Sequence, residues 1–176
     1  EKMKALIRGW RQVWDQGDFP FLYVQLAPWE RYGDGQLPEI WEAQRRTLSV
    51  PHTGMAVTTD VGDLKDIHPK NKQAVGRRLA LWAMAGTYGQ EDLVYSGPLF
   101  ESASVRGSKV RVKFSHCGSG LAVRDGGSLE WFEIAGKDGK FVKATANIEG
   151  DQVIVHSDKV KQPVAVRFGW DKTANP

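Results

Sequence analysis

The sequence lacks the raw material for several kinds of site. Cys117 is the only cysteine, so the chain can form neither an internal disulfide nor a cysteine-based metal site. No apolar run approaches membrane-spanning length, and the opening stretch EKMKALIRGWRQVW is too interrupted by charge and tryptophan to be a signal peptide. Net charge is only +3, and no basic run is interleaved with aromatic residues. We therefore expect no membrane or nucleic-acid partner.

The chain does contain enough apolar material for a packed core. It has 176 residues, of which 41% are hydrophobic and 26% charged, as in ordinary globular proteins. The apolar pattern changes along the chain, and this change suggests two parts, 1–92 and 93–176.

The first part alternates between helical and extended patterns. Apolar residues at helical spacing predict helices over 2–16, 37–48 and about 70–88. Two nearly continuous apolar runs, 21–27 and 54–60, predict strands buried on both faces. Strand, helix and strand in this spacing favour a parallel βαβ unit with a right-handed crossover.

A two-stranded parallel sheet is too small to be stable alone. We therefore expect residues 1–92 to be the C-terminal portion of a doubly wound α/β domain whose beginning lies outside this chain. The missing N-terminal part of the same protein is then the expected partner of this portion.

The second part has a period of two residues, which is typical of strands with one buried face. Short apolar runs are separated by the turn sequences RDGGS, GKDGK and EGDQ. The runs are 110–114, 120–124, 129–135, 140–148, 152–157 and 164–170. This spacing predicts that residues 93–176 form an antiparallel β-sandwich or jelly-roll-like domain.

Aromatic residues in this second part permit a sugar-binding surface. They are Trp131, Phe132, Phe141, Phe168 and Trp170. Trp170 shares its face with Val164 and Val166, which favours a place in the core, whereas Trp131 and Phe132 should point to opposite faces. A non-catalytic carbohydrate-binding or interaction module is therefore the alternative function.

The stretch VTTDVGDLKDIHPKNKQ, residues 57–73, carries the candidate chemistry. In open α/β sheets ligands bind beyond the carboxyl ends of the strands, and this loop leaves the end of the second predicted strand. His68 precedes Pro69, which we expect in the first turn of the following helix. A carboxylate that holds one imidazole nitrogen leaves the other nitrogen able to accept a proton as a general base.

Three aspartates could hold His68. Asp66 shares its loop and lies two residues before it, Asp60 ends the strand and would be fixed by the sheet, and Asp63 has the weakest case. The chain offers no matching nucleophile, because no serine lies on a strand-to-helix elbow and no GxSxG or GDS-like sequence occurs. No carboxylate–histidine spacing suggests a metal site.

Several segments in order resemble the C-terminal part of sialate O-acetylesterases, a family of the SGNH/GDSL hydrolase superfamily. They run from the first helix almost to the end of the chain. They are GDFPFLYVQLAPW, LPEIWEAQRRTL, TGMAVTTDVGD, DIHPKNKQAVGRRLALWA, YSGPLF and VRFGW.

The resemblance implies hydrolysis of O-acetyl esters on sialic acid or related sugars, such as acetylated xylan, by a Ser–His–Asp arrangement. The family histidine corresponds to His68, and its serine and oxyanion-hole groups would lie before residue 1. The superfamily usually places its aspartate three residues before the histidine, where this chain has Lys65. We assign the acid to Asp66, with Asp60 as the alternative. The resemblance implies no cofactor and a periplasmic or extracellular location.

Overall fold

The structure is a computed structural model, and it describes residues 1–124 and 126–175. These residues divide into two compact units. The first comprises Glu1–Tyr95 with Asp171–Asn175, and the second comprises Ser96–Trp170. The short segment 171–175, which the sequence-based division assigned to the second part, thus belongs to the first unit.

The first unit alternates helices and strands as the sequence predicts. Its elements are α1 (Lys2–Trp14), β1 (Phe21–Val24), α2 (Gln36–Thr47), β2 (Thr53–Ala56) and α3 (Lys72–Gly86). β1 and β2 pair in parallel, with Phe21 opposite Thr53 and Val24 opposite Ala56. The parallel pairing is confirmed, whereas a larger doubly wound sheet stays a prediction.

Both strands are shorter than the apolar runs 21–27 and 54–60 indicate. The amide of Gln25 still donates to the carbonyl of Ala56 at 2.8 Å, but from Leu26 the backbone of the first run bonds to side chains of α2. The amide of Leu26 donates to Gln44 Oε1 at 3.0 Å, and the indole of Trp41 donates to the carbonyl of Leu26 at 2.6 Å. The hydrophobicity of the run could not indicate that side chains of α2 form the hydrogen bonds to the backbone of Leu26.

Packing in the first unit joins its helices to the small sheet. Ile7 of α1 and Leu37 of α2 are fully buried. The guanidinium of Arg11, also buried, donates to the carbonyls of Phe19 and Pro51 at 2.8 and 2.9 Å. α1 is thereby fixed to the chain segments that lead into both strands.

The second unit consists of two antiparallel sheets. Its strands are β3 (Leu99–Arg106), β4 (Lys109–Ser115), β5 (Phe132–Ala135), β6 (Phe141–Lys143), β7 (Thr145–Glu149), β8 (Gln152–His156) and β9 (Ala165–Phe168). One sheet has the order β3-β4-β8-β7 and the other the order β6-β5-β9. Buried residues of both sheets share one core, in which Ile134 and Val155 are fully buried. The antiparallel character is confirmed, and the jelly-roll-like connection stays a prediction.

Two local expectations for this unit were wrong, and one strand was not predicted. The run 120–124 contains no strand among its described residues, and strand β3 had no apolar signal because nearly all of it is exposed. The alternating residues from Val164 to Trp170, expected on one core-facing side, are only partly in the core. Val166 packs against the core, but Val164 and Phe168 are exposed. Trp170 is half-buried and lies beside Arg167, whose guanidinium carbon is 5.7 Å from the ring centroid.

One of the two neighbouring aromatics is exposed and the other is buried, although Trp131 lies before β5 with a backbone φ of 66°, outside the regular alternation of the strand. Phe132 is 4% exposed in the core, while Trp131 is 38% exposed. No helix among the described residues has the length and apolar character needed to span a membrane.

Candidate active-site loop

The loops that leave β1 and β2 lie against each other. The amide of Glu30 in the first loop donates to the carbonyl of Leu64 in the second at 2.9 Å. Gly62 allows the close approach, because a Cβ at this position would lie 2.4 Å from the ring of Pro28. The buried hydroxyl of Thr58 donates to the carbonyl of Gln25 at 3.1 Å. The carboxyl ends of both strands therefore contribute to one surface, as expected for a parallel pair.

Asp66 and His68 lie together in the second loop. Asp66 Oδ1 accepts the backbone N–H of His68 at 2.9 Å and lies 3.3 Å from His68 Nδ1. The backbone N–H of His68 lowers the pKa of the Asp66 carboxyl, burial partly opposes this, and the side chain of His68 lowers the pKa further. Asp66 thus stays ionised beside the Nδ1 edge of the ring. The imidazole is 82% exposed, so Nε2 is open to a reacting group.

The helix after this loop starts later than the sequence indicates. α3 begins at Lys72, and Asn71 caps it by accepting the amide of Ala74 on its side-chain oxygen at 3.0 Å. Pro69 is buried but lies before the helix, so its expected place in the first helical turn was wrong. The side chain of an asparagine at the cap position accepts a hydrogen bond from an amide that has no partner within the helix. A proline in the first turn has no side-chain acceptor for this amide.

Asp60, the alternative acid, binds an arginine of α3. Both of its carboxylate oxygens accept hydrogen bonds from Arg78, at 2.7 Å from Nη1 and 2.5 Å from Nη2. The same arginine donates to the carbonyl of Val57 at 2.6 Å. The bond to Asp60 raises the pKa of Arg78. This bidentate pair ties the start of the loop to α3.

Asp63 has a local role in the turn. Its Oδ1 accepts the amide of Lys65 at 2.9 Å, and its backbone forms an isolated bridge with Asp66. Lys65, which occupies the position where the superfamily usually has its acid, is exposed. Asp66 therefore has a carboxylate oxygen beside the ring of His68, at 3.3 Å from Nδ1.

Sequence reasoning missed three residues that shape this end of the sheet. They are Gln25, Gln44 and Arg78. Gln25 is buried, and its side-chain oxygen has no hydrogen-bond partner among the described residues. For Gln44 and Arg78 the sequence predicts only that they lie on helices. The hydrogen bonds of Gln44 and Arg78 join residues 18 to 21 positions apart, and no local sequence pattern indicates such bonds.

In the second unit, a histidine lies next to a serine and a cysteine in the sequence. His116 Nδ1 lies 3.0 Å from Ser115 Oγ on an exposed strand end, and the thiol of Cys117 donates to the carbonyl of Phe114 at 3.3 Å. His68 and Asp66 are both in the first unit.

The chain is similar to known carbohydrate esterases. A rat sialate O-acetylesterase (Rattus norvegicus) is 40% identical over 54% of this chain, and the mouse sialate O-acetylesterase (Mus musculus) is 28% identical over 94% of it. The crystal structure of a carbohydrate acetylesterase from Xanthomonas citri matches 97% of this chain with 46% identity and a TM-score of 0.90. No family model matches.

These relatives are much longer than the matched region. The chain spans 21% of the rat protein and 35% of the mouse protein. It spans 40% of the Xanthomonas citri chain. The expected resemblance to sialate O-acetylesterases is confirmed.

Proposed function

We propose, from its place as a relative of the sialate O-acetylesterases, that this chain supplies the His68–Asp66 pair of a carbohydrate O-acetylesterase. The nucleophilic serine would come from the part of the protein that corresponds to the remaining length of the relatives. The observation that carries the proposal is the carboxylate–imidazole contact of 3.3 Å at the carboxyl end of the parallel strands. The isolated chain would then be inactive as an esterase.

In this proposal His68 is the general base. Nε2 takes the proton from the serine hydroxyl as the oxygen attacks the acetyl carbonyl, and it then gives that proton to the sugar oxygen that leaves. Water then attacks the acetyl-serine and loses a proton to Nε2, and Nε2 gives this proton to the serine oxygen as acetate leaves. Asp66 holds the Nδ1 proton, which fixes the tautomer and stabilises the imidazolium formed in each half-reaction.

The two candidate acids have different surroundings, and this favours Asp66. Its Oδ1 contacts the imidazole, whereas both oxygens of Asp60 bind Arg78. We propose that Asp60 instead fixes the start of the loop through α3. The substrate would be an O-acetylated sialic acid or a related acetylated sugar, with no cofactor. As implied by the family, the location would be periplasmic or extracellular.

The test uses a hybrid in which this chain replaces the matching part of the Xanthomonas citri acetylesterase. Hydrolysis of 4-nitrophenyl acetate and of O-acetylated sialic acid is measured for the hybrid and its variants. We expect His68→Asn to lower kcat by at least about 10³-fold, the usual loss when a triad histidine is removed. We expect Asp66→Asn to lower kcat by about 10²–10⁴-fold for the same reason.

Two matched variants control for structural damage. His52→Asn changes a histidine at the amino end of β2, far along the strand from the loop, and should leave kcat unchanged. Asp60→Asn should destabilise the hybrid with less than about tenfold loss of kcat, because the proposal gives it no proton-transfer role. A folded His68→Asn hybrid with unaltered turnover would refute the proposal, and a loss confined to Asp60→Asn would transfer the acid role to Asp60.

A second function has one observation in its favour. Trp131 and Phe168, at the end of the β5–β9 pair, are 38% and 43% exposed, as a sugar-stacking surface requires. Titration of the chain with acetylated xylan and sialyl oligosaccharides measures this directly. Binding that Trp131→Ala removes, together with an inactive hybrid, would favour the carbohydrate-binding module.

A further inference from the structure

We propose that the four-stranded sheet of the second unit binds an acidic polysaccharide on its outer side, through Arg106, Lys109 and Arg111. The outer side is the one that points away from the core shared with the other sheet. The ligand is a glycan whose sugars carry carboxylates, as sialic and uronic acids do. That this polyanion is a glycan rests on the proposed function, whereas the basic surface follows from the strand register alone.

Basic side chains lie next to one another at one end of this sheet. Arg106 is the register partner of Lys109 across the β3–β4 pair, and Lys109 is the partner of His156 across the β4–β8 pair. Val110, between Lys109 and Arg111, is buried in the core. Side chains alternate along a strand, so Lys109 and Arg111 both point to the outer side. We call Arg106, Lys109 and Arg111 the basic patch.

The basic patch costs stability, because like charges on opposite strand residues repel each other. The Cβ atoms of a directly opposite pair lie about 4.5–5.5 Å apart, and those of a diagonal pair such as Arg106 and Arg111 about 7–8 Å. All three residues are exposed, and none of them forms an ion pair with a described carboxylate. Asp158, two residues beyond β8, lies 3.6 Å from Lys161 instead. An anionic ligand would relieve this repulsion.

The acidic residues of the same four strands lie towards the other end of the sheet. Glu101 accepts a hydrogen bond from Lys113 at 3.0 Å, and Glu149 is the register partner of Gln152. Lys113 is four residues from Lys109, which is roughly 14 Å along β4 at about 3.4 Å per residue. Exposed charges at this separation are largely screened at physiological ionic strength, where the Debye length is about 8 Å. These carboxylates therefore do not neutralise the basic patch.

The side chains around the basic patch suit a glycan. Ser104 is the register partner of Arg111, and Asn147 lies on the same side of the sheet on β7. Both are exposed, and their polar groups can exchange hydrogen bonds with sugar hydroxyls. A guanidinium group binds a carboxylate through two parallel hydrogen bonds, and a lysine adds a compact positive charge. An open sheet surface of this kind fits an extended polymer better than a free monosaccharide.

The same surface is poorly suited to single-stranded nucleic acid. The described strand positions that share the outer side with Lys109 and Arg111 include no phenylalanine, tyrosine or tryptophan. Proteins that bind single strands stack the bases on such side chains, whereas charged sugars need only cations and hydrogen-bonding groups. The observations therefore favour an acidic glycan over this other polyanion.

The experiment titrates the full chain with soluble polymers by isothermal titration calorimetry at low and at physiological salt. Polysialic acid and polygalacturonic acid carry carboxylates, and xylan without uronic acid is the neutral comparison. We expect at least one acidic polymer to bind at least about tenfold more tightly than xylan, with an affinity that falls as salt is added. Binding of only one acidic polymer would identify the sugar as sialic or uronic acid. Equal binding of xylan, or tighter binding of single-stranded DNA, would overturn the proposal.

Two charge reversals form the matched pair. Lys109→Glu should weaken binding of the acidic polymer at least about tenfold and raise Tm, because the new carboxylate lies between two arginines. Lys137→Glu, at an exposed site between β5 and β6, should weaken binding by less than about twofold. Equal binding by both variants would refute the proposal, as would a Lys109→Glu variant that loses binding only because its Tm falls. Binding together with an inactive hybrid would refute the proposed function alone, and an active hybrid without binding would refute this proposal alone.

Discussion

Replacing Gly54 by alanine tests the packing of α3 on the sheet, which positions both Arg78 and the loop. A Cβ at residue 54 would lie 2.7–2.8 Å from three atoms of the Trp82 indole. The ring must retreat by roughly 0.6–0.7 Å to restore an ordinary contact of 3.4 Å. It cannot do so freely, because its N–H donates to the carbonyl of Met55 at 2.9 Å and its face meets Tyr95 with 4.7 Å between centroids.

Overpacking of this kind costs about 1–3 kcal/mol. For a unit of this size that corresponds to a fall in Tm of roughly 4–24 °C, since 1 kcal/mol shifts Tm by about 4–8 °C. Thermal unfolding followed by tryptophan fluorescence and calorimetry measures the change. The transition of the first unit should move, while that of the second unit should stay in place.

Gly76→Ala is the matched control and should have the opposite sign. Gly76 is an exposed residue within α3, and a Cβ there would meet nothing within 4 Å. Alanine in a helix interior is favoured over glycine by about 0.5–1 kcal/mol, so Tm should rise. If Gly54→Ala melted at or above the wild-type temperature, the close contact of α3 with β2 would be refuted.

Two further predictions concern the second core and the candidate loop. Ile134→Ala removes a fully buried side chain from the core shared by both antiparallel sheets and should cost about 2–5 kcal/mol, measured by urea unfolding. The pKa of Asp66 is lowered in the folded chain from its ordinary value of 3.8, so its contribution to stability is present above that value and is lost as pH falls through the lowered pKa. Asp66→Asn should therefore be less stable than the wild type at pH 7, and the difference should vanish in strong acid. A pH-independent difference in urea midpoint would contradict this.

Much of the architecture follows from local sequence patterns. Residues at helical spacing produced α1, α2 and α3, and a period of two produced most strands of the second unit. The ends of the elements were less predictable. Pro69 indicated a helix start, yet Asn71 caps α3, because a side-chain acceptor satisfies an otherwise unpaired amide. Strand β3 escaped notice because an exposed edge strand needs no apolar alternation.

The candidate site was predictable in part, because some of its contacts are local in the sequence. His68 and Asp66 are two residues apart, so their contact is a local one that short sequence spacing can indicate. The engagement of Asp60 with Arg78 joins residues 18 positions apart, and no local pattern shows that an arginine of α3 will reach the end of β2.

The sequence by itself determined the order of helices and strands in the first unit, the parallel and antiparallel parts, and the loop that carries Asp66 and His68. Apolar periodicity and short polar spacings encode these features within a few neighbouring residues. Only the tertiary structure decided that Asp60 binds Arg78 and that the side chain of Gln44 bonds the backbone of Val24 and Leu26. These depend on which distant side chains meet once α2 and α3 pack against the two strands.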